Sequence, residues 1–177
     1  MKSPRSRISL AGCGCLLALA LPAKASESAA QPSRPDDPVQ IETALIAKVH
    51  AAARQDGEAD FTSLLASESP FREPIAPSVL LARRTMAVCG WLQGDNQYGR
   101  AMKIAQRSLV LLAGMKESSE ADHAERLYWE ALLEGRVLDH KVRAIELLQA
   151  AQKLNPDDDR TLELEHEFAV AVAEFGR

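Results

Sequence analysis

The sequence predicts an all-α fold, and three observations carry the expectation. Apolar residues recur at steps of three and four from Ile41 to Phe175, the period of a helix with one buried face. Prolines, glycines and capping residues cut that stretch into helix-sized pieces. No segment alternates apolar and polar residues as a half-buried strand does. Residues 38–177 are therefore expected to form a single all-helical domain.

Ahead of that domain, Lys2, Arg5 and Arg7 precede an apolar run from Ile8 to Leu21, followed by Pro22-Ala23-Lys24-Ala25-Ser26. This is the pattern of a secretory signal peptide over residues 1–25, with cleavage after Ala25. The run is too short to span a bilayer comfortably. The alternative is a lipoprotein, because Leu10-Ala11-Gly12-Cys13 resembles a lipobox, but it leaves only Ile8 to Gly12 as the apolar region before the cysteine. Arg5-Ser6-Arg7 lacks the adjacent arginines of a twin-arginine signal. The protein is expected to be exported, to a bacterial periplasm first, with secreted and lipid-anchored forms as alternatives.

Removing residues 1–25 takes away four of the 21 basic residues and none of the 25 acidic ones, leaving 17 against 25 and a net charge of −8. Such a surface disfavours nucleic acid and anionic lipid as partners. Cys13 and Cys15 go as well, so Cys89 has no partner for an internal disulfide. Between Val88 and Trp91-Leu92 it is expected to be a small buried residue. After the signal, no apolar run is long enough to be a membrane span.

Residues 26–37 are polar and proline-bearing and read as a flexible leader. Asp37 is placed to cap a helix that starts at Pro38 and ends at Gly57, with Ile41, Leu45, Val49 and Ala52 on one face. A short helix around 60–67 and a proline-rich connector over 69–77 follow. Helix 78–93 turns Leu81, Val88, Cys89 and Leu92 inward and stops at Gly94-Asp95-Asn96. Helix 97–113 does the same with Ala101, Ile104, Ala105, Leu111 and Leu112. Ser119-Glu120-Ala121-Asp122 is a capping-box variant opening a helix to about Leu138, with Leu127, Tyr128, Ala131 and Leu132 inward. Asp139 is expected to cap helix 140–154, which Asn155-Pro156 ends. The acidic run 157–159 suits the positive end of the last helix, whose stripe is Leu164, Phe168, Val172 and Phe175.

The stretch from Val142 to Pro156 resembles the second helix of a tetratricopeptide repeat. The family sets a small residue, a bulky one four later, an alanine three after that and a proline five further on. Ala144, Leu148, Ala151 and Pro156 occupy these places. Counting back by the family's spacing puts Tyr128 at its aromatic position and Leu132 where a small residue is usual. Gly94-Asp95-Asn96-Gln97-Tyr98-Gly99-Arg100-Ala101 is similar to the turn into the second helix of an earlier copy, with Ala105 and Ser108 small and Ala113 in place of proline. Ala101 and Ala144 lie 43 residues apart, against a family repeat of about 34, so the extra length is expected near residues 114–122. The resemblance implies antiparallel helical hairpins, about two repeats over 80–156, and a capping helix over 157–175.

The sequence offers no catalytic, cofactor or metal pattern. His166-Glu167 lacks a second histidine four residues on, and His123 with Glu120 makes two ligands where a metal needs three or four. Asp157, Asp159 and Thr161 echo a calcium loop, but Leu162 stands where its glycine belongs. Glu163, Glu165 and Glu167 alternate and read as a solvated face. Neither a nucleophile elbow nor a phosphate loop or dinucleotide fingerprint occurs. An enzyme is not expected.

In the family, the first helix of each hairpin lines a groove for a peptide or protein. Carried over by position, that groove would hold Arg83 and Met86 from the earlier repeat and Arg126, Trp129, Leu133 and Arg136 from the later one. Arg83, Arg126 and Arg136 are three arginines beside Trp129, suited to an acidic or carboxylate-ended segment. A carrier for a small molecule or lipid would show a closed apolar cavity instead. A structural subunit of an envelope complex would show an exposed apolar patch.

Overall fold

The computed structural model describes residues 37–54, 68–71 and 75–175, the Phe175 side chain apart. Among these are six α-helices and no strand, so the all-α expectation is met. They are α1 Pro38–Arg54, α2 Pro77–Gly94, α3 Tyr98–Leu112, α4 Glu120–Leu132, α5 Lys141–Leu154 and α6 Asp159–Phe175. A π-helical turn, Leu133–Val137, prolongs α4. The signal peptide, most of the leader and the short helix expected at 60–67 lie outside the described residues.

Most helix ends obey the local chemistry. Asp37 Oδ1 accepts from the Val39 N–H at 3.0 Å, and its carbonyl accepts from Gln40 and Ile41. Pro77 sits at the first helical turn of α2, where its missing N–H costs nothing. Asn96 takes the left-handed conformation, φ 60°, and reverses the chain into α3. Ser119 Oγ accepts from the Asp122 N–H at 3.0 Å; the Asp122 carboxylate takes the Ser118 and Ser119 hydroxyls in place of a backbone N–H. Asn155-Pro156 ends α5 as expected.

Three expectations need correction. Asp139 caps nothing: it is itself left-handed, φ 61°, with its carboxylate on Lys141 Nζ, and the position before α5 is held by His140 without a side-chain cap. The helix into Leu138 does not stay α-helical, because the Leu138 N–H reaches back to the Leu133 carbonyl at 3.1 Å and His140 to Glu134 at 2.8 Å. Ile41 and Leu111 face solvent, at 46% and 40% exposure. Ile41 lies in the first turn of α1, and Leu111 lies off the Ala101/Ala105/Leu112 face that α2 covers.

The pairs α1/α2, α2/α3, α2/α4, α4/α5 and α5/α6 pack on one another, and the joining contacts set their directions. Glu42 meets Arg84, His50 meets Trp91 and Arg54 meets Asp95, so α1 runs parallel to α2. The short turn at 95–97 folds α3 back antiparallel on α2. Arg126 Nη1 reaches the Leu112 carbonyl, and Gln93 Nε2 the Arg136 carbonyl, which brings α4 beside α2 in the same direction. Arg160 meets Glu125 and Glu167 meets Arg136, making α6 parallel to α4, with α5 returning between them. The result is two helical hairpins, α2/α3 and α4/α5, inside a row of four parallel helices, α1, α2, α4 and α6.

Small residues permit the close crossings. Ala101, Ala105 and Ser108 of α3 are fully buried against α2, and Thr85 Oγ1 bonds to Ser108 Oγ at 2.9 Å. In the second hairpin Ala144 and Ala151 flank Leu148, which is 0% exposed. Leu148→Ala is expected to cost ~2–5 kcal/mol through lost burial and a cavity, and Ala151→Glu more, because it forces a charge into the crossing. Thermal unfolding checks both; wild-type melting would show that this face carries no load.

Candidate binding surface

Two hydrophobic clusters lie along the row. The first joins α1, α2, α3 and the π-turn; the second joins α4, α5 and α6. Met86 and Trp129 pack against both, so they sit at the seam between hairpins. Trp129 is half-buried, edge-on to Tyr128 at 5.6 Å, and its indole N–H donates to Glu125 at 2.9 Å. It is thus partly a core residue and partly available.

The other residues expected at the groove are divided by the structure. Arg83 is exposed on α2. Arg136 is 48% exposed and pairs with Glu167 at 2.8 Å. Leu133 is fully buried in the first cluster and presents no surface. Arg126 is 12% exposed: Nη1 donates to Glu130 at 2.7 Å and to the Leu112 carbonyl, and Nε stands 2.5 Å from Glu117. One guanidinium between two nearly buried carboxylates is a brace between α4 and the loop before it. Burial raises the Glu130 pKa above its ordinary value, against the pull of Arg126.

Beside Arg136, the parallel helices α4 and α6 enclose a cleft of ≈170 Å³ lined by Tyr128, Arg136, Arg160, Glu163, Leu164 and Glu167. Arg160 lies over the Tyr128 ring at 4.8 Å and holds Asp158 and Glu125 at 2.8 and 2.7 Å. Those hydrogen bonds keep the Asp158 carboxyl below its usual range. Burial raises the Tyr128 phenol, with Arg160 and Arg136 opposing. The cleft presents both charge signs on rigid helices, which suits polar recognition. Of its six residues only Arg136 was expected at the site. Tyr128 carried a signal, as the family's aromatic position, but read as inward. Arg160 and Glu167 lie 35 and 31 residues beyond their partners Glu125 and Arg136, near the family's repeat length, which is the clue that could have placed them.

Cys89 is buried as expected, its thiol 3.4 Å from the Ala101 carbonyl and its pKa pushed up to about 12 by burial. It is a packing residue. Among the described residues no three histidines, cysteines or carboxylates come together to hold a metal ion. No described helix is long and apolar enough to cross a membrane. No family model matches the chain, and neither a curated protein nor a solved structure does.

Proposed function

We propose that this is an exported interaction module of the tetratricopeptide kind, holding a protein or peptide segment along the row formed by α2, α4 and α6. The observation that carries the reading is the arrangement itself: parallel helices side by side, of which α2 and α4 are each backed by a return helix through alanine-lined crossings. In this reading Arg83, Met86, Trp129 and Arg136 face the partner, joined by Tyr128 and Arg160. Arg126 and Leu133 hold the surface in shape. The arginines favour a segment bearing carboxylates. A small-molecule carrier is the alternative reading; the cleft between α4 and α6, at ≈170 Å³, is smaller than the ~300–1,000 Å³ of pockets that take drug-sized ligands.

The test begins with co-purification from the native envelope and mass spectrometry, which supplies the segment held. Binding of that segment, followed by fluorescence anisotropy, is expected to weaken roughly tenfold or more with Arg83→Glu or Arg136→Glu, with little change in the melt because both side chains are exposed. Trp129→Ala should weaken binding and lower the melting temperature together. If neither arginine substitution changes the affinity, the groove reading fails.

A further inference from the structure

Charge is divided unevenly along the described chain. Residues 77–112 carry five basic side chains and one acid; residues 113–175 carry seven basic side chains and fifteen acids. Two helices concentrate this division. α3 has Arg100, Lys103 and Arg107 and no acid, while α6 has five acids and Arg160 alone.

Both helices also leave apolar side chains on one ridge open to solvent, three on α3 and two on α6. Residues four apart form a ridge along a helix. On α3 the ridge is Tyr98, Met102, Gln106 and Val110, with Val110 74% and Tyr98 55% exposed. The adjoining ridge, one residue on, carries Lys103 and Arg107. On α6 the ridge is Leu162, His166, Val170 and Glu174, with Leu162 and Val170 each 43% exposed. Its adjoining ridge, again one residue on, carries Glu163 and Glu167. Glu167 is 54% exposed although it also reaches Arg136. The two faces have one layout and opposite charge.

We propose that the outer face of α6 docks antiparallel on the outer face of α3 of a second copy of this chain. The direction follows from geometry. Each charged ridge lies on the same side of its apolar ridge, so facing helices bring the two charged ridges together only when they run in opposite directions. In the register that sets Val110 on Leu162, Met102 meets Val170, Gln106 meets His166 and Tyr98 meets Glu174. Lys103 then lies beside Glu167 and Arg107 beside Glu163. Pairing α3 with α3, or α6 with α6, would oppose like charges. The contact is heterologous, so a pair joined by one such contact keeps one free α3 face and one free α6 face. A single helix-on-helix contact buries less than the ~1,200 Å² of stable complexes, so association is weak.

The residues to be substituted, Val110, Leu162 and Lys103, lie outside the groove, whereas Glu163 and Glu167 line its cleft, so these substitutions let the two readings fail separately. Sedimentation velocity on the purified protein should show an average mass that rises with concentration up to roughly millimolar and falls on adding salt. Val110→Asp and Leu162→Lys should each hold the protein at monomer mass with melting unchanged, and Lys103→Glu is the substitute should Val110→Asp not fold. Mixing Val110→Asp with Leu162→Lys should restore a species of two copies, because one brings an intact α6 and the other an intact α3. A mass independent of concentration overturns the proposal, as does a mixture that stays monomeric. So does a monomer that binds anionic phospholipid vesicles through Val110 and Lys103, which would make α3 a membrane-surface helix.

Discussion

Glu42→Ala is expected to lower stability by about 3–5 kcal/mol, far more than an exposed ion pair would lose. Arg84 is 1% exposed and donates from Nε and Nη2 to both Glu42 carboxylate oxygens at 2.6 Å, with a further bond to the Glu68 carbonyl at 3.3 Å. Removing the carboxylate takes two short charge-assisted bonds and an anion away from a guanidinium in the interior. The desolvation already incurred by Arg84 is then less well offset. Replacing both partners by apolar residues, Glu42→Leu with Arg84→Met, should recover much of the loss, since well-packed isosteres of buried pairs are often neutral. Urea denaturation of the three proteins decides it. A single variant no worse than the double would mean that the pair contributes no net stabilisation between α1 and α2.

Phe168→Ala should cost ~3–5 kcal/mol as well, for a different reason. The Phe168 ring, 2% exposed, lies directly on the backbone of Gly135 in the π-turn. A Cβ at Gly135 would stand 2.3 Å from Cζ and 2.5 Å from Cε2 of that ring. Gly135→Ala therefore has to push the ring away, an overpacking expected to cost about 1–3 kcal/mol despite the better helix propensity of alanine. The two sites touch, so their effects should not add: Phe168→Leu in the Gly135→Ala background ought to be milder than the sum of the singles. Strict additivity in thermal melts would show that ring and glycine do not share one space.

The elements most legible in the sequence were those decided within one or two helical turns. The Ser119 cap, the Pro38 start, the Asn155-Pro156 stop and the Ala144/Leu148/Ala151 face all depend on neighbours close in the chain. Asp139 misled because aspartate serves two local purposes, capping and the left-handed turn, and residue type alone does not separate them. The Glu42–Arg84 pair left no signature, since its members lie 42 residues apart and each looks like a surface charge. The same holds at the candidate site: the family's spacing placed Arg126 and Arg136 alike, but Glu117 and Glu130 draw the first inward, while the side chain of the second pairs with Glu167 at the rim. The π-turn also escaped; the Phe168 ring that lies on its Gly135 comes from α6, beyond the intervening α5.

The row of parallel helices has a kinetic consequence. Each helix is held mainly by helices near it in the chain, and the ties between first helices span 31 to 43 residues. Contacts of that range close modest loops, so formation can begin at one hairpin and spread outward in either direction. The end members are then the least cooperative parts. Among the described helices α1 packs chiefly on α2, with the Glu42–Arg84 pair near its start and Val49 as its one fully buried side chain. Detachment of α1 with the rest standing should be the lowest-energy excursion at that end, and amide protons of residues 38–54 should exchange through it well ahead of those in α4 and α5.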